Sequence, residues 1–200
     1  MSSFKRRVDA LIVVGPTACG KTTFIRRLVA AHPNYFSHCV THTTRLQRSN
    51  EVPGKSYHFV TVPEFEQLTL DGAMLEHSLS HGNRYGTSWA ALHTVLAESL
   101  VACLALNMEG AANVSAQSNV TAKRFWLGPP SIEILAARLR GRGTEPEHDV
   151  LLRIKAAESE IRWHARHPDF FHRSFLVDDW DVAFDEFRIA AVKECIAQTS

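Results

Sequence analysis

GPTACGKTT, residues 15–23, follows the apolar run ALIVV, residues 10–14, without a break. It sets four residues between Gly15 and Gly20-Lys21-Thr22. The glycines allow a backbone tight enough for successive amide N–H groups to face one anion. Gly15, Pro16, Thr17, Ala18 and Cys19 form the cradle, and Gly20, Lys21, Thr22 and Thr23 close it. Lys21 is placed to reach the β- and γ-phosphates of a nucleotide, and the Thr22 hydroxyl to ligate Mg²⁺. Phe24, Ile25, Leu28 and Val29 follow at helical spacing, so a helix N-terminus faces the anion. A strand before the loop and a helix after it are the context this motif requires.

Outward from this loop the chain alternates. SHCVTHTTR (37–45) predicts one short strand, and SYHFVTVPEFEQL a strand ending at Val62 with a helix entered through Pro63. AMLEHSLSHGNRYGTS predicts two strands about a turn at Gly82-Asn83. SWAALHTVLAES reads as a helix, and the nearly all-apolar LVACLALN as a strand buried on both faces. RFWLGPPS is a strand closed by two prolines. SIEILAARLRGRG is a helix stopped at Gly141, and EHDVLLRIKAAESEIRWHARH a long charged one. SFLVDD is a last strand before the helix WDVAFDEFRIAAVKECIA. Such alternation predicts an α/β fold with a parallel sheet flanked by helices. Residues 41–88 interrupt it with a β-rich, polar insertion.

Two hundred residues suit a single domain, and a formal net charge of +1 provides no field for nucleic acid or membrane. The eleven histidines are scattered, and the four cysteines are far apart with no CxxC, as in an intracellular chain of reduced thiols. Cys19 lies inside the loop, where filling a small-residue position suits it. No apolar run approaches membrane-spanning length. A cytoplasmic monomer is expected, although the basic start MSSFKRR leaves organellar targeting open.

A second constellation lies in THTTRLQRSNEVPGKSYHF, where Arg45 and Arg48, three apart, precede Tyr57. Two guanidiniums and a phenol suit a phosphate monoester, since Arg binds phosphate oxygens bidentately. LEHSLSHGNRYGTS adds Glu76, Tyr85 and Thr87. A carboxylate accepts guanine N1–H and the 2-amino group together, a donor pair that adenine lacks.

These motifs, with E-x-x-G-K-x-Y-x-F-V, GPPS and RLRGRGTEPE in order, resemble the guanylate kinase family over almost the full length. The resemblance implies a P-loop core (1–40, 88–138 and 158–200), a GMP-binding insertion (41–88) and a helical lid (139–157). It implies transfer of the ATP γ-phosphoryl group to GMP, with Mg²⁺. Thr41, Glu76, Thr87 and Asn107 would then face guanine. Arg45, Arg48, Glu51, Tyr57 and Tyr85 would surround the acceptor phosphate. Arg138, Arg142 and Arg153 would join Lys21 over the transferring group, where charge accumulates.

The chain departs from the family pattern in places. Ala105 and Asn107 stand where two carboxylates are usual. Asn107 keeps an acceptor without the charge, while Ala105 offers nothing polar; Glu109 is the nearest carboxylate. TTRLQR lacks a proline, RSNEVPGK a glycine before Glu51, and Val177 replaces an asparagine common near adenine. Two alternatives stand beside the kinase: a non-catalytic guanylate-kinase-like binding module, and a related kinase with another acceptor such as a sugar bisphosphate. The intact Lys21 and Thr22 oppose the first, and Glu76 with Thr87 the second.

Overall fold

The computed structural model describes residues 4–49, 51–80, 82–141 and 146–198. A short β1 (Phe4–Arg6) precedes β2 (Ala10–Val14), whose five residues are all buried. Leu11 and Val13 enter one apolar layer, and Ala10, Ile12 and Val14 the other. A strand covered on both faces needs an apolar side chain at every position, so ALIVV shows no alternation. The phosphate loop then leads into α1 (Lys21–Ala31) and β3 (Phe36–His38). Phe24 of α1 is fully buried and meets Phe184 and Phe187 edge-on. Truncating such a side chain to alanine costs about 3–5 kcal/mol.

Next come β4 (His42–Thr43), β5 (His58–Phe59), α2 (Val62–Leu70), β6 (Met74–Ser80) and β7 (Asn83–Ser88). The remainder is α3 (Trp89–Ala97), β8 (Val101–Ala105), α4 (Met108–Ser115), β9 (Ala122–Gly128) and α5 (Ile132–Gly141). After these follow α6 (Glu147–Arg166), β10 (Arg173–Leu176), α7 (Trp180–Cys195) and β11 (Ile196–Gln198).

The main sheet is parallel, in the order β10-β9-β2-β8-β3. A second, four-stranded sheet, β5-β4-β7-β6, is built wholly from the polar insertion. The alternation expected from the sequence is therefore present, and so is the interruption.

Four local expectations are corrected. Val62 opens α2 rather than ending a strand, because Thr61 and Glu64 form a reciprocal capping box that starts the helix there. SHCVTHTTR holds two strands in different sheets, separated by Cys39–Thr41. The last helix stops at Cys195, and Ile196–Gln198 pairs antiparallel with Phe4–Arg6. Phe4–Arg6 of the basic start are thus part of a sheet. Helix α4, capped by Asn107, completes the alternation between β8 and β9. His81, next to the expected Gly82-Asn83 turn, lies outside the described residues.

Candidate active site

The phosphate loop joins the C-terminal end of β2 to α1, and its two glycines are forced by their neighbours. Gly15 has φ +148°, and a Cβ there would meet the Leu127 carbonyl oxygen at 2.1 Å. Gly20, at φ +84°, would drive a Cβ to 2.3 Å from the Trp180 ring. Gly20 is also the N-cap of α1 and gives no side-chain cap. The first-turn amides therefore keep their positive helix-end field for an anion. Lys21 folds across the loop, its Nζ donating to the Gly15 oxygen and, at 3.0 Å, to the Pro16 oxygen. Cys19 is fully buried in the core, as its small-residue role requires.

Helices α5 and α6 bring arginines to this loop. Arg153 Nη1 donates to Thr17 Oγ1 at 3.3 Å. Arg138 Nη2 donates to the Val177 oxygen at 2.7 Å while its guanidinium lies 5.2 Å over the Trp180 ring. Arg138 Nη1 is buried with no hydrogen-bond partner among the described residues, a donor still open to an oxygen ligand. Arg142 lies outside the described residues.

The insertion holds the second constellation. Arg45 Nη2 donates to Glu51 Oε1 at 2.6 Å, and the Arg48 amide to Glu51 Oε2 at 2.9 Å. Burial works to raise the Glu51 pKa, but these bonds outweigh it and hold the carboxyl below its ordinary value. Arg45 lies 5.3 Å over the Tyr57 ring, and Tyr57 meets Tyr85 at 6.2 Å. Arg45, Arg48, Glu51, Tyr57 and Tyr85 are thereby one cluster, with Glu51 as its internal counter-ion. Thr41, also buried, accepts at its carbonyl from the His58 amide.

Glu76 lies deeper, 4% exposed, and accepts from Thr87 Oγ1 at 2.7 Å. Desolvation pushes its carboxyl up to about 7; the Thr87 bonds oppose that shift and the charge of Glu109 adds to it. Glu109 itself is exposed in the first turn of α4. Asn107 caps α4 with Oδ1 and donates through Nδ2 to Ser78 Oγ. Val13 of β2 pairs with Ala105 of β8. The phosphate loop and the Asn107 corner thus leave adjacent parallel strands at the same sheet edge, where α/β folds place ligands.

A family model described as guanylate kinase matches residues 7–190. This chain belongs to the guanylate kinase family. Guanylate kinase of Schizosaccharomyces pombe is 36% identical over 188 residues, 94% of this chain and 92% of the relative. The Homo sapiens guanylate kinase is 33% identical, with 92% of each chain covered. The crystal structure of guanylate kinase from Anaplasma phagocytophilum superposes with a TM-score of 0.70 over 92% of this chain and 85% of the other, at 24% identity, and shows the shared fold.

Four residues of this guanylate kinase family site carry no motif of their own. Trp180 walls the phosphate loop from the far end of the chain. Gly110 lies under Glu76, where a Cβ would meet Oε2 at 2.6 Å. Ser78 holds Asn107. Glu160 of α6 has a carboxyl raised by burial and drawn back by the charge of Lys21. The one sequence signal is helical: Arg153, Ala157 and Glu160 recur at i, i+4 and i+7, the spacing of one helix face.

Proposed function

We infer that this chain transfers the γ-phosphoryl group of ATP to GMP, giving ADP and GDP. One observation carries the inference. A phosphate loop with an uncapped helix N-terminus and the Asn107–Gly110 corner, against which the buried Glu76 carboxyl lies, leave neighbouring strands at one sheet edge. Donor and acceptor can then be held in line, and holding them supplies most of what phosphoryl transfer needs.

In this assignment Gly15–Thr23 cradles the ATP phosphates. Lys21 leaves the Gly15 and Pro16 carbonyls for phosphate oxygens, and Arg138, Arg142 and Arg153 spread charge over the transferring group. Arg45, Arg48, Tyr57 and Tyr85 hold the acceptor phosphate while Glu51 keeps the Arg45 fork oriented. Glu76, Thr87, Thr41 and Asn107 form the base end. We take residues 41–88 as the GMP-binding insertion and 139–157 as the lid; α5 and α6 both run into that lid.

The residues present fit Mg²⁺. The half-buried Thr22 hydroxyl at the first turn of α1 is a hard oxygen donor. No cluster of three acidic, His or Cys side chains occurs among the described residues. That suits an ion carried on substrate phosphates and water, with few protein ligands. When bound, the ion neutralises phosphate charge.

No helix among the described residues is long and apolar enough to cross a membrane. We take the chain to be a cytoplasmic monomer that binds ATP and GMP and no nucleic acid. A panel of acceptors with ATP and Mg²⁺ tests the function: GMP must give ADP and GDP far faster than AMP, UMP or a sugar phosphate. Tight nucleotide binding with no turnover would make the chain a binding module instead.

A further inference from the structure

Asn107 spends both ends of its amide. Oδ1 accepts from the Gly110 amide at 2.8 Å, and Nδ2 donates to Ser78 Oγ at 3.0 Å. A Cβ built on Gly110 would lie 2.6 Å from Glu76 Oε2 and 3.3 Å from Asn107 Oδ1. Two acceptor oxygens therefore face one point at the start of α4. Ser78, 9% exposed, sits two residues beyond Glu76 on β6, so both present to the same side of that strand.

A guanine edge offers two donors, N1–H and the 2-amino group, and so requires two acceptors. A carboxylate is an acceptor whichever way it turns. A carboxamide is not, and its NH₂ aimed at the 2-amino group would set donor against donor. The orientation of Asn107 thus decides what the site accepts. The Gly110 N–H can be met only by Oδ1, which leaves Nδ2 pointing into the insertion and in need of an acceptor. Ser78 is that acceptor.

We propose that Ser78 is a specificity-determining positioning residue: its hydroxyl takes the Asn107 amide N–H, keeps Asn107 Oδ1 beside Glu76, and so fits the site to a 6-oxopurine that carries a 2-amino group. The proposal rests on Glu76 and Asn107 forming the base end of the GMP site. It adds selection against inosine monophosphate, which has N1–H but no 2-amino group.

The test compares Kd, by calorimetry, and kcat/KM for GMP and inosine monophosphate. Ser78→Ala is expected to weaken GMP about tenfold and inosine monophosphate by less than about twofold. In an Asn107→Asp background the same change is expected to alter the ratio by less than about twofold, because a carboxylate has no N–H to place. Equal weakening of both nucleotides would reduce Ser78 to a structural prop and overturn the proposal. An undiminished effect in the Asn107→Asp background would also overturn it. Should Ser78→Ala not fold, Ser78→Thr against Ser78→Val repeats the comparison with two side chains of one shape. Selectivity kept by the first and lost by the second supports the proposal; any other pattern overturns it. Glu76→Gln separates the two levels. If it leaves GMP binding intact, the base site itself is wrongly placed and the proposal falls with it. If Glu76→Gln weakens GMP while selectivity ignores Ser78, only the proposal falls.

Discussion

Thr87 Oγ1 donates to Glu76 Oε1 at 2.7 Å, yet burial still lifts the Glu76 carboxyl to about 7. A protonated carboxyl cannot accept from both guanine donors, so GMP binding has to release a proton at low pH. The GMP Kd is expected to fall close to tenfold per pH unit below about 7 and to level off above it. Calorimetry in buffers of different ionisation enthalpy reads the proton directly. Glu76→Gln should lose the Glu76 part of this dependence and keep only that of the GMP phosphate, which titrates near about 6. It should bind GMP at least about 10²-fold more weakly.

The same group makes the free protein less stable as pH rises. An unfolded glutamate loses its proton near 4.5, while folded Glu76 keeps it to about 7. Between those values the native state binds more protons, so stability falls with pH, by about 3 kcal/mol in all. Glu76→Gln should flatten the melting temperature across that window. A profile as steep as the parent's would rule out Glu76 as its source.

Lys21→Met tests the phosphate loop. The ammonium bridges two carbonyls of its own loop, so the melting temperature should drop by only a few degrees. Turnover should fall by about 10³-fold or more. Retention of more than about a tenth of activity, roughly 1.4 kcal/mol of barrier, would show that Lys21 does not serve transfer.

A different residue limits the loop sterically. Gly20→Ala combines strain at φ +84° with a Cβ 2.3 Å from the Trp180 ring. It should destabilise the protein by about 2–4 kcal/mol and abolish tight ATP binding. With Trp180→Leu present, the added cost should shrink by at least about 1 kcal/mol. Strict additivity in chemical denaturation would place the ring elsewhere.

Arg45 and Glu51 are both well shielded from solvent and joined at 2.6 Å. Arg45→Lys keeps the charge and loses the fork, so KM for GMP should rise about 10–100-fold with KM for ATP unchanged. A parallel rise in both constants would point to a general loosening of the insertion.

The readable parts of this molecule are those where neighbours in sequence are neighbours in space. ALIVV, the phosphate loop and α1 are contiguous, so their pattern carried strand, anion site and helix together. Arg45, Arg48 and Tyr57 lie within thirteen residues and are equally open to reading, whereas Glu51 enters only through the family resemblance and its bond to Arg45 only through the structure. The partners of the base site are not. Ser78 meets Asn107 from 29 positions away, and Trp180 reaches Gly20 across most of the chain; neither has a local signature, because the sheet supplies the contact. The β1–β11 pairing shows the same limit. Ile196 and Ala197 continue an apolar helical pattern, and only a strand from the other end makes them extended. Val62 belongs to the helix for a simpler reason: the Thr61–Glu64 capping box starts α2 one residue before the proline.

Trp180 also makes the phosphate loop visible to light. Three of the four indoles have an imidazole against them: Trp126 stacks on His164 at 4.5 Å, Trp163 on His167 at 4.0 Å, and Trp89 faces His93 at 5.9 Å. A protonated imidazole quenches an excited indole by accepting its electron. Trp180 has instead the Phe24 edge at 5.9 Å and the Arg138 guanidinium above its ring, with no histidine ring against it among the described residues. The indole against Gly20 is therefore the one whose emission no neighbouring imidazole modulates among the described residues. Movement of Arg138 from that ring toward phosphate would change its colour and brightness, giving an unlabelled optical record of nucleotide arrival.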